Sequence, residues 1–184
     1  MRKLIAGLFS TLDGVVESPE KWSMPYMDAE AGQALAQVFS ESDTALMGRK
    51  TYQEWSAFFP YASTDQVPQA DWMNNTPKYV VSSSLTTADW NNSHIISGDV
   101  EKQIAALKEQ PGKNINVGGS VTLVHWLLDR GLLDELYLHI VPVILGAGER
   151  LLEDVGDPDL EPIKVVASPA VTHIKYRIGK SGPP

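Results

Sequence analysis

The chain has 184 residues, 43% of them apolar and 21% charged, which fits one ordinary globular domain with its own core. It has no cysteine, which excludes disulfides, thiolate catalysis and cysteine metal sites. A net charge of −8 disfavours nucleic acid as a partner and requires any anionic ligand to be held by a local basic cluster.

Residues 3–9 read as a buried first strand. The apolar part of this N-terminus is too short for a signal peptide, and no run reaches the roughly 18 apolar residues of a membrane helix. No membrane partner and a cytoplasmic location are therefore expected. Residues 10–25 form a loop with an Asp13-Gly14 turn and prolines at 19 and 25. Ala31, Ala34, Leu35, Val38 and Phe39 recur at helical spacing. Residues 44–47 are a short strand ending at Gly48, and Tyr52 and Trp55 mark a second helix, stopped by Pro60, as core residues.

Three prolines between 60 and 77 predict a long loop or insertion. Strands are expected at 78–82 and 93–97, and Asp99 caps a helix that ends at Pro111-Gly112. Residues 115–117 make a strand that runs into Gly118-Gly119 and a helix over about 120–130, with Gly131 as its C-terminal cap. A long strand follows at 135–145. Residues 162–167 and 171–179 alternate as a closing antiparallel hairpin, and 181–184 form a tail after a single domain over 1–180.

Strands alternating with helices predict an α/β fold, a three-layer αβα sandwich around a mixed, mainly parallel sheet of about eight strands. Ligands of such sheets bind where strands give way to helices. Three turns fall there. Gly48-Arg49-Lys50-Thr51 offers helix amides and a basic pair to an anion, or is a solvated turn. Ser82 and Ser83 offer hydroxyls, or form an ordinary polar turn. Gly118-Gly119-Ser120-Val121 lets backbone approach a ligand closely, or is a tight connection. None has the full spacing of a Rossmann or P-loop motif. Together they suit one extended, multiply charged ligand such as a dinucleotide.

Asp13-Gly14, ALMGRKTYQEW at 45–55, YVVSSS at 79–84, INVGGS at 115–120 and DELYLHIVPVILGAGERLL at 134–152 occur in an order that resembles the dihydrofolate-reductase-like superfamily. Within it, the chain is most similar to the C-terminal reductase domain of the bifunctional riboflavin-biosynthesis deaminase/reductase and its stand-alone relatives. The resemblance implies NADPH as hydride donor. Gly48, Arg49, Lys50 and Thr51 would take the pyrophosphate and adenosine end, and Ser82 and Ser83 the 2′-phosphate. Gly118, Gly119, Ser120 and Val121 would line the pyrophosphate and nicotinamide side. It also implies a cis Gly118–Gly119 bond, and the loop at 10–25 folding over the nicotinamide. Val117, preceded by Asn116, stands where riboflavin-pathway reductases often carry a substrate-facing Glu.

Hydride transfer requires a proton source, for which Asp13, Asp28 and Glu30 are candidates. Each has a plainer role, as a turn residue, a helix N-cap and a solvated first-turn carboxylate respectively. Trp22 and Met27, with Asn116, are candidates for the wall of a flat heterocyclic substrate. His94, His125, His139 and His173 lack metal spacing and read as structural or surface residues, so no metal is expected. The expected activity is NADPH-dependent reduction of a small heterocycle, riboflavin-pathway type ahead of dihydrofolate. A nucleotide-binding or regulatory protein without catalysis is the alternative. Family analogy suggests a homodimer, with the strand at 136–145 as the packing surface.

Overall fold

The computed structural model describes residues 1–153 and 155–179. The expected tail at 181–184 lies outside them. Eight strands form one mixed sheet: β1 (Leu4–Thr11), β2 (Ser42–Gly48), β3 (Lys78–Val81), β4 (Ser93–Ile96), β5 (Asn114–Gly118), β6 (Glu135–Val141), β7 (Leu160–Ala167) and β8 (Thr172–Ile178). Their spatial order is β4-β3-β2-β5-β1-β6-β8-β7. All neighbours are parallel as far as β6. The pairs β6–β8 and β7–β8 are antiparallel, so the closing hairpin adds onto β6.

Strand alternation separates two cores. Leu4, Ala6 and Leu8 pack with Leu46, Ile115, Val117, Leu136 and Leu138 against α4 (Val100–Glu109) and α5 (Val121–Asp129). On the opposite face, Ala45, Met47 and Val80 pack with α2 (Arg49–Phe58) and α3 (Ala70–Asn75), and Ile5 and Tyr137 pack with Val38 of α1 (Ala29–Ser40). Asp28 caps α1 by accepting from the Ala31 N–H at 2.7 Å, and Asp99 caps α4 by accepting from Lys102 N–H at 3.2 Å. Gly131 follows α5 with φ +61, the left-handed turn that a C-terminal glycine supplies.

The expected loop at 60–77 contains a 3-10 turn (Phe59–Tyr61) and α3, which buries Ala70 and Met73. The strand expected over 135–145 ends at Val141, because Pro142 has no N–H for the ladder and β1 stops at Thr11. β6 lies between β1 and β8 with six of its seven residues buried, so the expected packing surface at 136–145 is closed over 136–141, while Ile144 and Leu145 beyond it are exposed. The outer edge is β7, where the register shifts between Pro162 and Lys164.

Candidate active site

A cleft of about 1320 Å3 opens beyond the C-terminal ends of the parallel strands. The turn at 48–51 and the turn at 119–121 both line it, so two of the three expected phosphate turns share one cavity. Ser120 joins them. Its hydroxyl accepts from the Gly48 N–H at 2.7 Å and lies 2.7 Å from the Thr51 hydroxyl. The Gly-Gly pair is needed for this approach. A Cβ on Gly118 would lie 2.6 Å from the Trp55 ring, and one on Gly119 would lie 3.0 Å from Thr51 Cγ2. Gly119 has φ +66, a conformation that glycine takes without steric cost. No cis peptide bond occurs among the described residues, so the cis Gly118–Gly119 bond implied by the resemblance is absent. The positive φ of Gly119 makes the turn instead.

Arg49 and Lys50 are exposed at the start of α2, and neither has a carboxylate partner among the described residues. Arg49 donates only to the neutral Gln53 carbonyl, at 3.0 Å. Both cations are thus available to an anion at a helix N-terminus. Asp99 and Glu101 at the start of α4 line the same cleft, so its basic character is confined mainly to the α2 turn.

Ser82 and Ser83 do not line the cleft, although neighbouring Val81 does. The Ser82 hydroxyl is buried and accepts from the N–H groups of Ser84 and Leu85, at 3.2 and 2.9 Å, closing its own turn. The loop at 10–25 borders the cleft through Val16 to Glu20. Trp22 is buried behind it, with its indole N–H donating to the Glu17 carbonyl at 2.9 Å, and neither Trp22 nor Met27 lines the cleft.

Asp13 faces elsewhere. Its carboxylate accepts from the Thr11 hydroxyl at 2.6 Å and the Gly146 N–H at 2.8 Å. The Thr11 hydroxyl, then the Gly146 amide, hold its pKa down to about 2. Such a carboxylate is ionised at neutral pH and ties the loop after β1 to the glycine turn at 146–148. Glu30 is exposed in the first turn of α1 and does not line the cleft. Asp28 caps α1 with one oxygen, while its Oδ2 is buried without a hydrogen-bond partner.

A second, small cavity of about 50 Å3 adjoins the cleft. Gly7, Leu35, Phe39, Trp55 and Met73 line both. Asn116, Gly118 and His139 line the small chamber only, so Asn116 borders this chamber and not the cleft. Trp55, expected as core, packs against the core on that face of the sheet and also lines both cavities.

His139 and His173, read from the sequence as structural or surface residues, form a buried pair. They lie on β6 and β8, directly paired across the sheet, with Nδ1 atoms 2.7 Å apart and each residue 1% exposed. Both Nε2 atoms are buried without partners, as is the Tyr137 hydroxyl. Burial, then the neighbouring His173, lowers the His139 pKa to about 3. Burial also lowers that of His173, against an opposing pull from Asp28. The β6–β8 register was the missing signal, because only it places 139 opposite 173.

A family model for the RibD C-terminal domain matches residues 2–174. The chain is 31% identical over 159 residues to YyaP of Bacillus subtilis, a protein described as uncharacterized, covering 84% of this chain and 82% of that one. A crystal structure of a putative riboflavin biosynthesis protein from Shewanella sp. PV-4 superposes with a TM-score of 0.78 at 20% identity, covering 97% of this chain and 99% of that one. Enterococcus faecalis dihydrofolate reductase, solved with NADP(H), superposes with a TM-score of 0.63 at 14% identity, covering 97% of both chains. The sheet and its closing antiparallel strands are therefore those of the dihydrofolate-reductase-like fold, and the chain belongs to the RibD C-terminal domain family.

Proposed function

We propose that this protein is an NADPH-dependent reductase of a small heterocyclic substrate, of the riboflavin-pathway type ahead of dihydrofolate. The observation that carries the reading is the shared cleft, in which the basic start of α2 and the Gly118-Gly119 turn are stitched together by Ser120. The residues fit a dinucleotide. Arg49 and Lys50 are cations without carboxylate partners, and a Cβ at Gly48 or Gly119 would crowd the opposite turn. Gly48, Lys50 and Thr51 would hold the pyrophosphate, Arg49 would take the 2′-phosphate in place of Ser82 and Ser83, which lie outside the cleft, and Gly119, Ser120 and Val121 would line the other side. The nicotinamide supplies hydride when bound, while Val16 to Glu20 border the cleft and limit water. Placement in the cleft supports these cofactor residues more strongly than it does Ser82 and Ser83. A cytoplasmic homodimer completes the reading, with a packing surface other than β6.

NADPH and NADH titrations, followed by nicotinamide fluorescence, test it. Wild-type protein binds NADPH more tightly. Arg49→Ala weakens NADPH about tenfold and NADH less, because a phosphate loses its two-pronged partner. Equal weakening of both would remove Arg49 from the 2′-phosphate. Turnover with 5-amino-6-(5-phosphoribosylamino)uracil then separates a reductase from a nucleotide-binding protein without catalysis.

A further inference from the structure

The cleft extends to both sides of the junction that Ser120 makes between the turns at 48–51 and 119–121. On one side it is lined by α4 and α5, and on the other by α1, α2 and α3. The second side is walled by Leu35 and Phe39 of α1, Trp55 and Phe58 of α2, Phe59 just after it and Met73 of α3. Three of these rings form a series. Phe58 meets Phe59 edge to face with centroids 5.3 Å apart, and Phe59 meets Trp55 in the same way at 5.7 Å. Trp55 in turn presses on the Gly118-Gly119 turn, where a Cβ on Gly118 would lie 2.6 Å from its ring. The series begins in solvent, because Phe58 is 53% exposed. An exposed ring that continues into half-buried and buried ones is a surface that a flat aromatic ligand can cover.

The charges around these rings have one sign. Glu54 lies on the face of α2 that carries Thr51, Trp55 and Phe58, and it lines the cleft with them. Glu17 and Glu20 of the loop after β1, and Glu149 of the glycine-rich turn, line the same cleft. All four are exposed, and none has a cationic partner among the described residues. The cations that line the cleft stand elsewhere. Arg49 and Lys50 begin α2 at the junction, where the dinucleotide reading already uses them. Arg130 follows α5, 4.3 Å above the Trp126 ring and 3.9 Å from the Glu101 carboxylate. An anionic group laid on the rings would thus meet Glu54 and face three further carboxylates, while a cation there would be drawn in.

We propose that the side of the cleft between α1, α2 and α3 binds a flat aromatic molecule that is uncharged or cationic. Its ring lies against Trp55, Phe58 and Phe59, and any positive charge faces Glu54. Neither a sugar phosphate nor a chain of carboxylates suits this place. The inference rests on the reductase reading only for calling this molecule the substrate, since the recognition needs no cofactor. Within that reading it puts the dephosphorylated form of a riboflavin-pathway compound ahead of its phosphate ester.

The test uses three probes with one aromatic body and different charge: 1-naphthylmethylamine, 1-naphthylmethanol and the phosphate monoester of that alcohol. Calorimetry on the full chain reads their affinities. Wild-type protein binds the amine more tightly than the alcohol. Phe58→Ala weakens both about tenfold, because each loses its ring contact. The exposure of Phe58 keeps the fold independent of this change. The phosphate ester does not use the rings, so whatever affinity it has for the basic turn is unchanged in Phe58→Ala. A Glu20→Gln, Glu54→Gln and Glu149→Gln triple variant loses the advantage of the amine over the alcohol, and salt at about 0.5 M does the same in wild-type protein. Amine and alcohol affinities that ignore Phe58→Ala overturn the proposal, as does phosphate-ester binding that Phe58→Ala weakens. An amine advantage that survives the triple variant overturns the part assigned to charge. Absence of NADPH binding with these probe results intact would instead refute the reductase reading and leave this site standing.

Discussion

At the scale of single residues, the buried histidine pair couples stability to acidity. His139 has its pKa lowered from 6.5 to about 3, by burial first and by His173 second. The unfolded chain therefore takes up a proton that the folded chain refuses. The sign follows directly: the pair is neutral in both states above pH 6.5 and costs nothing there. Below it, stability is lost as pH falls toward 3, at up to about 1.4 kcal/mol per pH unit for each imidazole. Urea midpoints for wild-type protein and His139→Gln between pH 7.5 and 4.5 check this. The variant should lose less stability over that range, and parallel curves would contradict the expectation. His139 and His173 were hidden in the sequence because 33 residues separate them and only the sheet register joins them. The places of Arg49 and Gly119 in the cleft were legible because they depend on local features, a strand end followed at once by a helix start.

At the scale of elements, α3 shows what a pattern of prolines conceals. Residues 60–77 read as an irregular insertion, yet six of them form a helix anchored by Lys78. This lysine is fully buried, and its ammonium donates to the carbonyls of Met73 and Thr76, both at 2.7 Å. It also sits 4.5 Å above the Trp90 ring. Burial lowers its pKa to about 8, so it is still mostly charged at neutral pH. Trp90 in turn donates to Asn74 at 2.9 Å, so the segment is held by polar contacts that no hydrophobic periodicity announces. Lys78→Met is expected to lower stability by about 1–3 kcal/mol, because two carbonyls at the end of α3 lose their donor. Chemical denaturation measures it. An unchanged or raised midpoint would mean that relief of the buried charge outweighs those bonds. The strands and longer helices were readable by contrast, since apolar alternation and caps such as Asp28 and Asp99 act within a few residues.

At the scale of the whole molecule, a chain of charge −8 presents a small basic turn to a polyanion. Local attraction at Arg49 and Lys50 competes with repulsion from the rest of the surface. Exposed charges are screened beyond about 10 Å at roughly 0.1 M salt. If the basic turn governs binding, NADPH affinity falls as sodium chloride rises, and the fall is shallower in Arg49→Ala. Fluorescence titrations over a salt series decide it, and an affinity that climbs with salt would put the global field in command. Charge and composition were legible from the first reading, whereas the assembly of the cleft required the order of strands. That order also ends in β7, whose Pro162 lacks an amide hydrogen just before the register slips. A row of donors broken there offers a poor template for another strand, while the opposite border, β4, is only four residues long. Copies of this protein are thereby discouraged from linking sheet to sheet into fibres.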